Sequence, residues 1–266
     1  MSTTSFTTTQ LKLKSGTLPC HVAGQGRPVL CLHSAGGVRL SPAFERLSET
    51  FRLYVPVMPG FDGTAPIEGV RSMAGLADLA AEAIDIAVGG PCDVIGHSFG
   101  GWIAAWLAAR HADKVQQLVL HAPAGFRRDG TGGLVGDADT LRRAMYAHPE
   151  NLRPEAKSAE LHAQNRAAAA RYNGGVPMDQ ELAGRLKDVK ALTLILHGTR
   201  DGVIPADSPR LLKDAIPRSY LLYVYDAAHA IDVDQPQPFV RLVRDFFERG
   251  EAFIVNRGAP AAQETQ

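Results

Sequence analysis

Cysteine is scarce in this chain. The three present, Cys20, Cys31 and Cys92, cannot all pair, and none sits in a CxxC or other metal-ligand spacing. That excludes a disulfide framework, and their apolar neighbours mark them as small buried side chains of a protein kept reduced. An excess of either charge is missing too: Lys plus Arg and Asp plus Glu come to 28 each in 266 residues. Such a balance offers no basic face for nucleic acid, so the expected partner is a small or uncharged molecule. No apolar run approaches the roughly 20 residues of a membrane-spanning helix. The opening MSTTSFTTTQ lacks the charged and apolar stretches of a secretory signal, and the sequence therefore predicts a cytoplasmic protein with no membrane partner. Repeats and linker runs are lacking as well.

What is present suits one well-cored α/β domain with room for an insertion, since 45% of the residues are hydrophobic. Residues 5–32 alternate and are broken at Ser15-Gly16 and Gly24-Gln25-Gly26, which predicts two strands of a hairpin region and then a buried strand, RPVLCLH. FRLYVPVM follows as a strand. Residues 73–88 carry apolar side chains at helical spacing, among them Leu76, Leu79, Ala80, Ala83 and Ile84. Strand CDVIG, helix GWIAAWLAARHA and strand VQQLVLHA come next. From Pro123 the rhythm changes to glycine-marked and helical sequence without a convincing strand. The sheet pattern resumes at ALTLILHG and YLLYVYDAAH, and an amphipathic helix, PFVRLVRDFFERG, closes the pattern. Strands alternating with helices predict a mostly parallel sheet.

One hydroxyl interrupts the most apolar stretch. Gly96-His97-Ser98-Phe99-Gly100 matches G-x-S-x-G and lies between a predicted strand and a predicted helix, the context this motif requires. A turn of that kind crowds its central residue toward positive φ, and the flanking glycines give the backbone space. Capping the helix is the alternative role for Ser98. A hydroxyl attacks a carbonyl only when a base takes its proton, and the base needs an orienting acid. Of nine histidines, only His229 sits in the loop between the last strand and the closing helix. His97 lies in the turn itself and is aimed wrongly for a base. Asp201, in the turn LHGTRDGVIP, is the candidate acid. Asp226 and Asp232 compete, but a residue three positions from the histidine is poorly placed to reach its Nδ1. Two backbone N–H groups must also face the oxygen that becomes negative, each contributing about 3 kcal/mol. Phe99 supplies one, and Ala35, in the small-residue loop LHSAGG, supplies the other.

Together LHSAGG, VPVMPGFDGT, GHSFGG, GTRDGVIP and YDAAHAIDVDQP resemble the α/β-hydrolase family over roughly residues 24–250, the insertion left out. The resemblance implies a doubly wound, mostly parallel sheet of about eight strands. Residues 1–124 and 191–250 would form the core, 125–190 a helical cap, and 251–266 a flexible tail. It implies Ser98 as nucleophile, Asp201 as acid, His229 as base, and Ala35 and Phe99 as oxyanion donors. Two departures stand out. Ser34 replaces a glycine that members usually carry after the histidine; if that position needs positive φ, Ser34 is strained and Ala35 is displaced. Met58 replaces an acidic residue often found before the Pro-Gly.

The expected activity is hydrolysis of a carboxylic ester of a small, largely apolar substrate through an acyl-enzyme, with no metal or organic cofactor. Ser34, His97, Leu141, Met145 and Tyr146 are the expected substrate contacts, with Tyr172 as a further cleft residue. Four alternatives accompany it. Members that hydrolyse carbon–carbon bonds of ring-cleavage products use the same triad but often carry tryptophan directly after the histidine, where this chain has Ala230. Amide hydrolysis and perhydrolysis fit the same residues. A hydrolase-like receptor with little turnover is the rival outside catalysis. A nucleophilic aspartate is excluded by Ser98.

Overall fold

The computed structural model describes residues 5–128, 137–153 and 157–254, with Ala138 in backbone only. Its centre is an eight-stranded sheet in the order β1-β2-β4-β3-β5-β6-β7-β8. The strands are β1 (Thr7–Lys12), β2 (Thr17–Ala23), β3 (Arg27–Leu32), β4 (Phe51–Pro56), β5 (Cys92–His97), β6 (Val115–His121), β7 (Leu192–Gly198) and β8 (Ser219–Val224). β1 and β2 join antiparallel, and every pairing from β4 to β8 is parallel. Every residue of β5 and β7 is buried. Helices cover both faces of a parallel sheet, which is why these strands read as unbroken apolar runs instead of alternating.

The helices are α1 (Pro42–Leu47), α2 (Met73–Ala87), α3 (Phe99–Arg110), α4 (Ala138–Met145), α5 (Ala159–Asn173), α6 (Gln180–Arg185), α7 (Ser208–Ala215), α8 (Ile231–Asp234) and α9 (Pro236–Arg249). α3 is buried from Phe99 to Ala108, as an all-apolar helix must be. By contrast α9 buries one stripe, Phe239, Val243, Phe246 and Phe247, and gives the other face to water. α1 and α7 are additions to the sequence expectation. Each is short and has proline in its first turn, so each reads as loop.

Between β6 and β7 lie α4, α5 and α6, and among the described residues the extended pairing there is one isolated bridge, Phe126 to Met178. Residues 129–136 and 154–156 of the expected insertion lie outside the described residues. Of the expected tail, Phe253 is buried against Tyr220 and Phe246, and residues 255–266 lie outside the description.

The strand order decides where a ligand can sit. β3 lies between β4 and β5, so the loops leaving the carboxyl ends of β3 and β5 part and leave a crevice at that edge. The loop after β3 carries Ser34 to Val38, and the turn after β5 is Ser98. Asp201 and His229 follow β7 and β8 at the same edge.

Candidate active site

Ser98 has φ 53° and ψ −112°, a conformation costly for a residue with a side chain. The strain is held by its surroundings. Its N–H donates to His121 O at 2.9 Å, and its carbonyl accepts from Ala124 N at 3.0 Å, so the end of β6 clamps the turn from both sides. A Cβ on Gly96 would overlap the Gly100 carbonyl oxygen, and one on Gly100 the Leu32 carbonyl oxygen, so only glycine lets α3 start this close to β3 and β5. The Ser98 hydroxyl makes no capping bond to α3. The capping role is therefore excluded.

His229 and Asp201 meet from loops 28 residues apart. His229 Nδ1 lies 3.0 Å from Asp201 Oδ2, and both side chains are almost wholly buried. Asp201 Oδ1 accepts the N–H groups of Val203 and Ile204 at 2.8 and 2.9 Å, which fixes the carboxylate plane. Burial alone would raise the Asp201 carboxyl. The facing His229, its hydrogen bond and the Ile204 N–H outweigh burial and hold the group below the usual carboxylate range. An ionised carboxylate only accepts, so Nδ1 carries the proton and Nε2 keeps its lone pair. Asp226 turns away to His148 and Arg200, and Asp232 faces Arg39.

Beneath His229 lies a layer the sequence reading misplaced. His97, expected at the substrate, is buried and donates from Nε2 to the His229 carbonyl at 3.1 Å. Its ring stacks on His121 at 4.0 Å, and His121 Nε2 accepts the Ile231 N–H at 3.1 Å. Both imidazoles serve backbone groups that a loop at a sheet edge would otherwise leave unpaired. Burial holds both well below the ordinary histidine pKa. Among the described residues, His97, His121 and Asp232 bring ligating atoms within 4.8 Å of one another. Each ring already spends its Nε2 on backbone, and Arg39 supplies the positive charge beside Asp232 at 3.4 Å, so the trio fits a scaffold better than an ion.

On the opposite side runs the loop after β3. Ser34 is absent from the residues with positive φ, so the serine in place of glycine carries no strain there. Ala35 faces the same cavity as Ser98, whereas the Phe99 side chain packs on Phe61, 5.4 Å between ring centres, and its N–H begins α3.

A cavity of about 460 Å³ contains Ser98 and His229 in its wall. Ser34, Leu141, Met145 and Tyr146 line it; Tyr172 does not, since its hydroxyl is engaged with Pro59 O at 2.8 Å elsewhere. The wall is less apolar than expected. Arg39, Lys157, His162 and Arg166 line it too, residues that sequence reasoning missed because the chain's net charge is zero. A larger cavity of about 580 Å³ lies beyond Arg39 and Lys157 and reaches neither Ser98 nor His229. Position relative to Ser98 and His229, not size, makes the smaller cavity the candidate site.

α4 ties into the loops that carry Asp201 and His229. Gly202 N donates to Ala144 O at 3.2 Å, and Ala230 N to Met145 O at 3.1 Å. The Asp234 carboxylate accepts N–H groups from Ala147, His148 and Ala228 at 3.0, 2.9 and 2.7 Å, joining the His229 loop to the segment after α4.

A model of the alpha/beta hydrolase family matches residues 21–242. A 2-hydroxymuconate semialdehyde hydrolase of Pseudomonas putida is 30% identical, the match covering 87% of this chain and 91% of that protein. A pimeloyl-[acyl-carrier protein] methyl ester esterase of Chromobacterium violaceum is 29% identical over 85% of this chain and 96% of its own. Among solved structures, a meta-cleavage product hydrolase (CumD) superposes with a TM-score of 0.69 at 24% identity, covering 90% of this chain and 97% of that one, a likeness of fold alone.

Proposed function

The chain belongs to the alpha/beta hydrolase family, and from that premise we propose that it cleaves the carboxylic ester of a small, mostly apolar substrate that carries an acidic group. One observation carries the reading: a strained serine and an imidazole oriented by a buried carboxylate share one cavity wall. In this scheme His229 Nε2 takes the Ser98 proton as Oγ attacks the carbonyl carbon. Asp201 stabilises the imidazolium that forms. The tetrahedral oxygen accepts from the N–H groups of Ala35 and Phe99. Collapse of the intermediate expels the alcohol, which takes the proton from His229 and leaves an acyl group on Ser98. Water, deprotonated by the same imidazole, then releases the acid. The scheme calls for no metal or organic cofactor.

Residues 125–190 act in this reading as a cap, supported by the bonds from α4 to Gly202 and Ala230 and by the lining side chains Leu141, Met145 and Tyr146. The acidic group follows from Arg166 in the wall, since a carboxylate on the substrate would meet positive charge there.

Carbon–carbon hydrolysis is the second reading, favoured by the 30% identical semialdehyde hydrolase. Ala230, where such members often carry tryptophan, weighs toward the ester. Steady-state hydrolysis decides: p-nitrophenyl acetate, p-nitrophenyl butyrate, a p-nitrophenyl monoester of a dicarboxylic acid and a vinylogous diketone acid are assayed on wild type and Ser98→Ala. Repeated turnover of the monoester, lost in the variant, supports the proposal. Preference for the diketone moves the assignment to the carbon–carbon bond, and a single stalled burst makes the protein a receptor.

A further inference from the structure

The loop after β3 is gripped from the segment between β6 and β7. Asn165, on α5 and fully buried, donates from Nδ2 to Gly36 O at 2.8 Å. Lys157, just before α5, donates to Gly36 O and Val38 O at 3.0 and 2.7 Å. Asp62 completes the knot. Its Oδ2 accepts the Val38 N–H at 2.7 Å, while its Oδ1 meets Lys157 Nζ at 3.0 Å and Asn165 Nδ2 at 2.9 Å. The Asp62 N–H in turn donates to Asn165 Oδ1 at 2.8 Å. Gly37 sits at φ 85° against this knot, and a Cβ there would overlap Asp62 Oδ1. From below, His33 Nδ1 donates to Ser34 O at 2.8 Å, and Gly37 N donates to the same oxygen at 3.0 Å.

Each carbonyl around Ala35 thus has a fixed donor, and the N–H groups of Gly36 and Gly37 turn back onto Ser34. Among the described residues, the Ala35 N–H donates to no protein acceptor. A backbone donor kept unspent while its neighbours are tied is arranged for an acceptor that arrives later. We infer that Lys157 and Asn165 are positioning residues that set the Ala35 N–H for the negative oxygen of the reaction, so the segment between β6 and β7 takes part in catalysis as well as covering the site. The inference rests on the Ser98 reading above.

Its consequence is specific. The misplaced donor costs the transition state and leaves the ground state alone, so kcat falls and KM holds. The test compares wild type, Lys157→Met, Lys157→Arg, Asn165→Ser and Ser98→Ala with p-nitrophenyl butyrate as substrate. A trifluoromethyl ketone of matched chain, whose adduct carries the same oxyanion, serves as inhibitor. Lys157→Met and Asn165→Ser are expected to lose tenfold to a hundredfold in kcat with KM within threefold, since displacements of about 1 Å can cost a hundredfold. The inhibition constant should rise by the factor by which kcat/KM falls, and Lys157→Arg should recover most of both. A merely structural role would shrink the active fraction and leave the inhibition constant of the remainder unchanged; that result overturns the inference, as does a kcat within twofold of wild type. Should one variant fail to fold, the other carries the test. If wild type turns over no faster than Ser98→Ala, the serine reading has failed first, and the inference falls with it.

Discussion

Asp201 offers one oxygen to two backbone N–H groups and the other to His229, and this division predicts what its amide would do. In Asp201→Asn the carbonyl oxygen keeps the Val203 and Ile204 donors, so the NH₂ faces His229 Nδ1. That geometry forces Nδ1 to accept and puts the proton on Nε2, where it cannot take one from Ser98. Turnover should fall on the order of a thousandfold or more, with the melting temperature nearly unchanged, read by steady-state kinetics and calorimetry. The basic wall makes a second prediction. Arg166→Met should raise KM for a carboxylate-bearing ester about fivefold, the value of one partly solvated ion pair, and leave a neutral ester unaffected. At this scale the sequence was partly legible. The choice of Asp201 over Asp226 and Asp232 could be argued from spacing, because three residues cannot carry a side chain behind the ring. His97 could not be placed, since which way a turn residue points depends on β6 and the loop after β8.

Among the elements, Asp234 ties the His229 loop to the residues after α4 through three N–H donors. Replacing it by alanine strands all three, and a buried donor without an acceptor costs about 1–3 kcal/mol. Asp234→Ala should lower the melting temperature by about 5 °C or more, given roughly 2–4 °C per kcal/mol in a chain of this size. β5, the Ser98 turn and α3 were readable because composition, motif and length all agreed there. α7 was hidden: eight residues between Pro205 and Pro217, with Pro209 inside its first turn, carry more breaker than periodicity. The knot of Asp62, Lys157 and Asn165 left no trace either, since its members lie up to 103 residues apart and share no pattern.

Across the whole molecule, buried neutral imidazoles set the response to acid. His33, His97, His121 and His197 are held below the ordinary histidine pKa, chiefly by burial, His33 down to about 4. Unfolded, each takes a proton below about pH 6.5 that it refuses when folded, so stability drops as pH falls from 6.5 toward 4. His33 alone contributes about 3 kcal/mol of that loss. Asp93, pushed up to about 7 by burial, and His148, raised by its bonds to Asp226 and Glu150, act in the opposite sense, His148 only above the ordinary histidine range. Urea unfolding at pH 7.5, 6, 5 and 4.5 should show the midpoint falling steadily, and a flat profile would refute the account.

His121 receives the amide of Ser98 on its carbonyl and the amide of Ile231 on its ring. The Ser98 turn and the loop that carries His229 therefore meet on one residue. A change at that one residue would loosen the Ser98 turn and the start of α8 together.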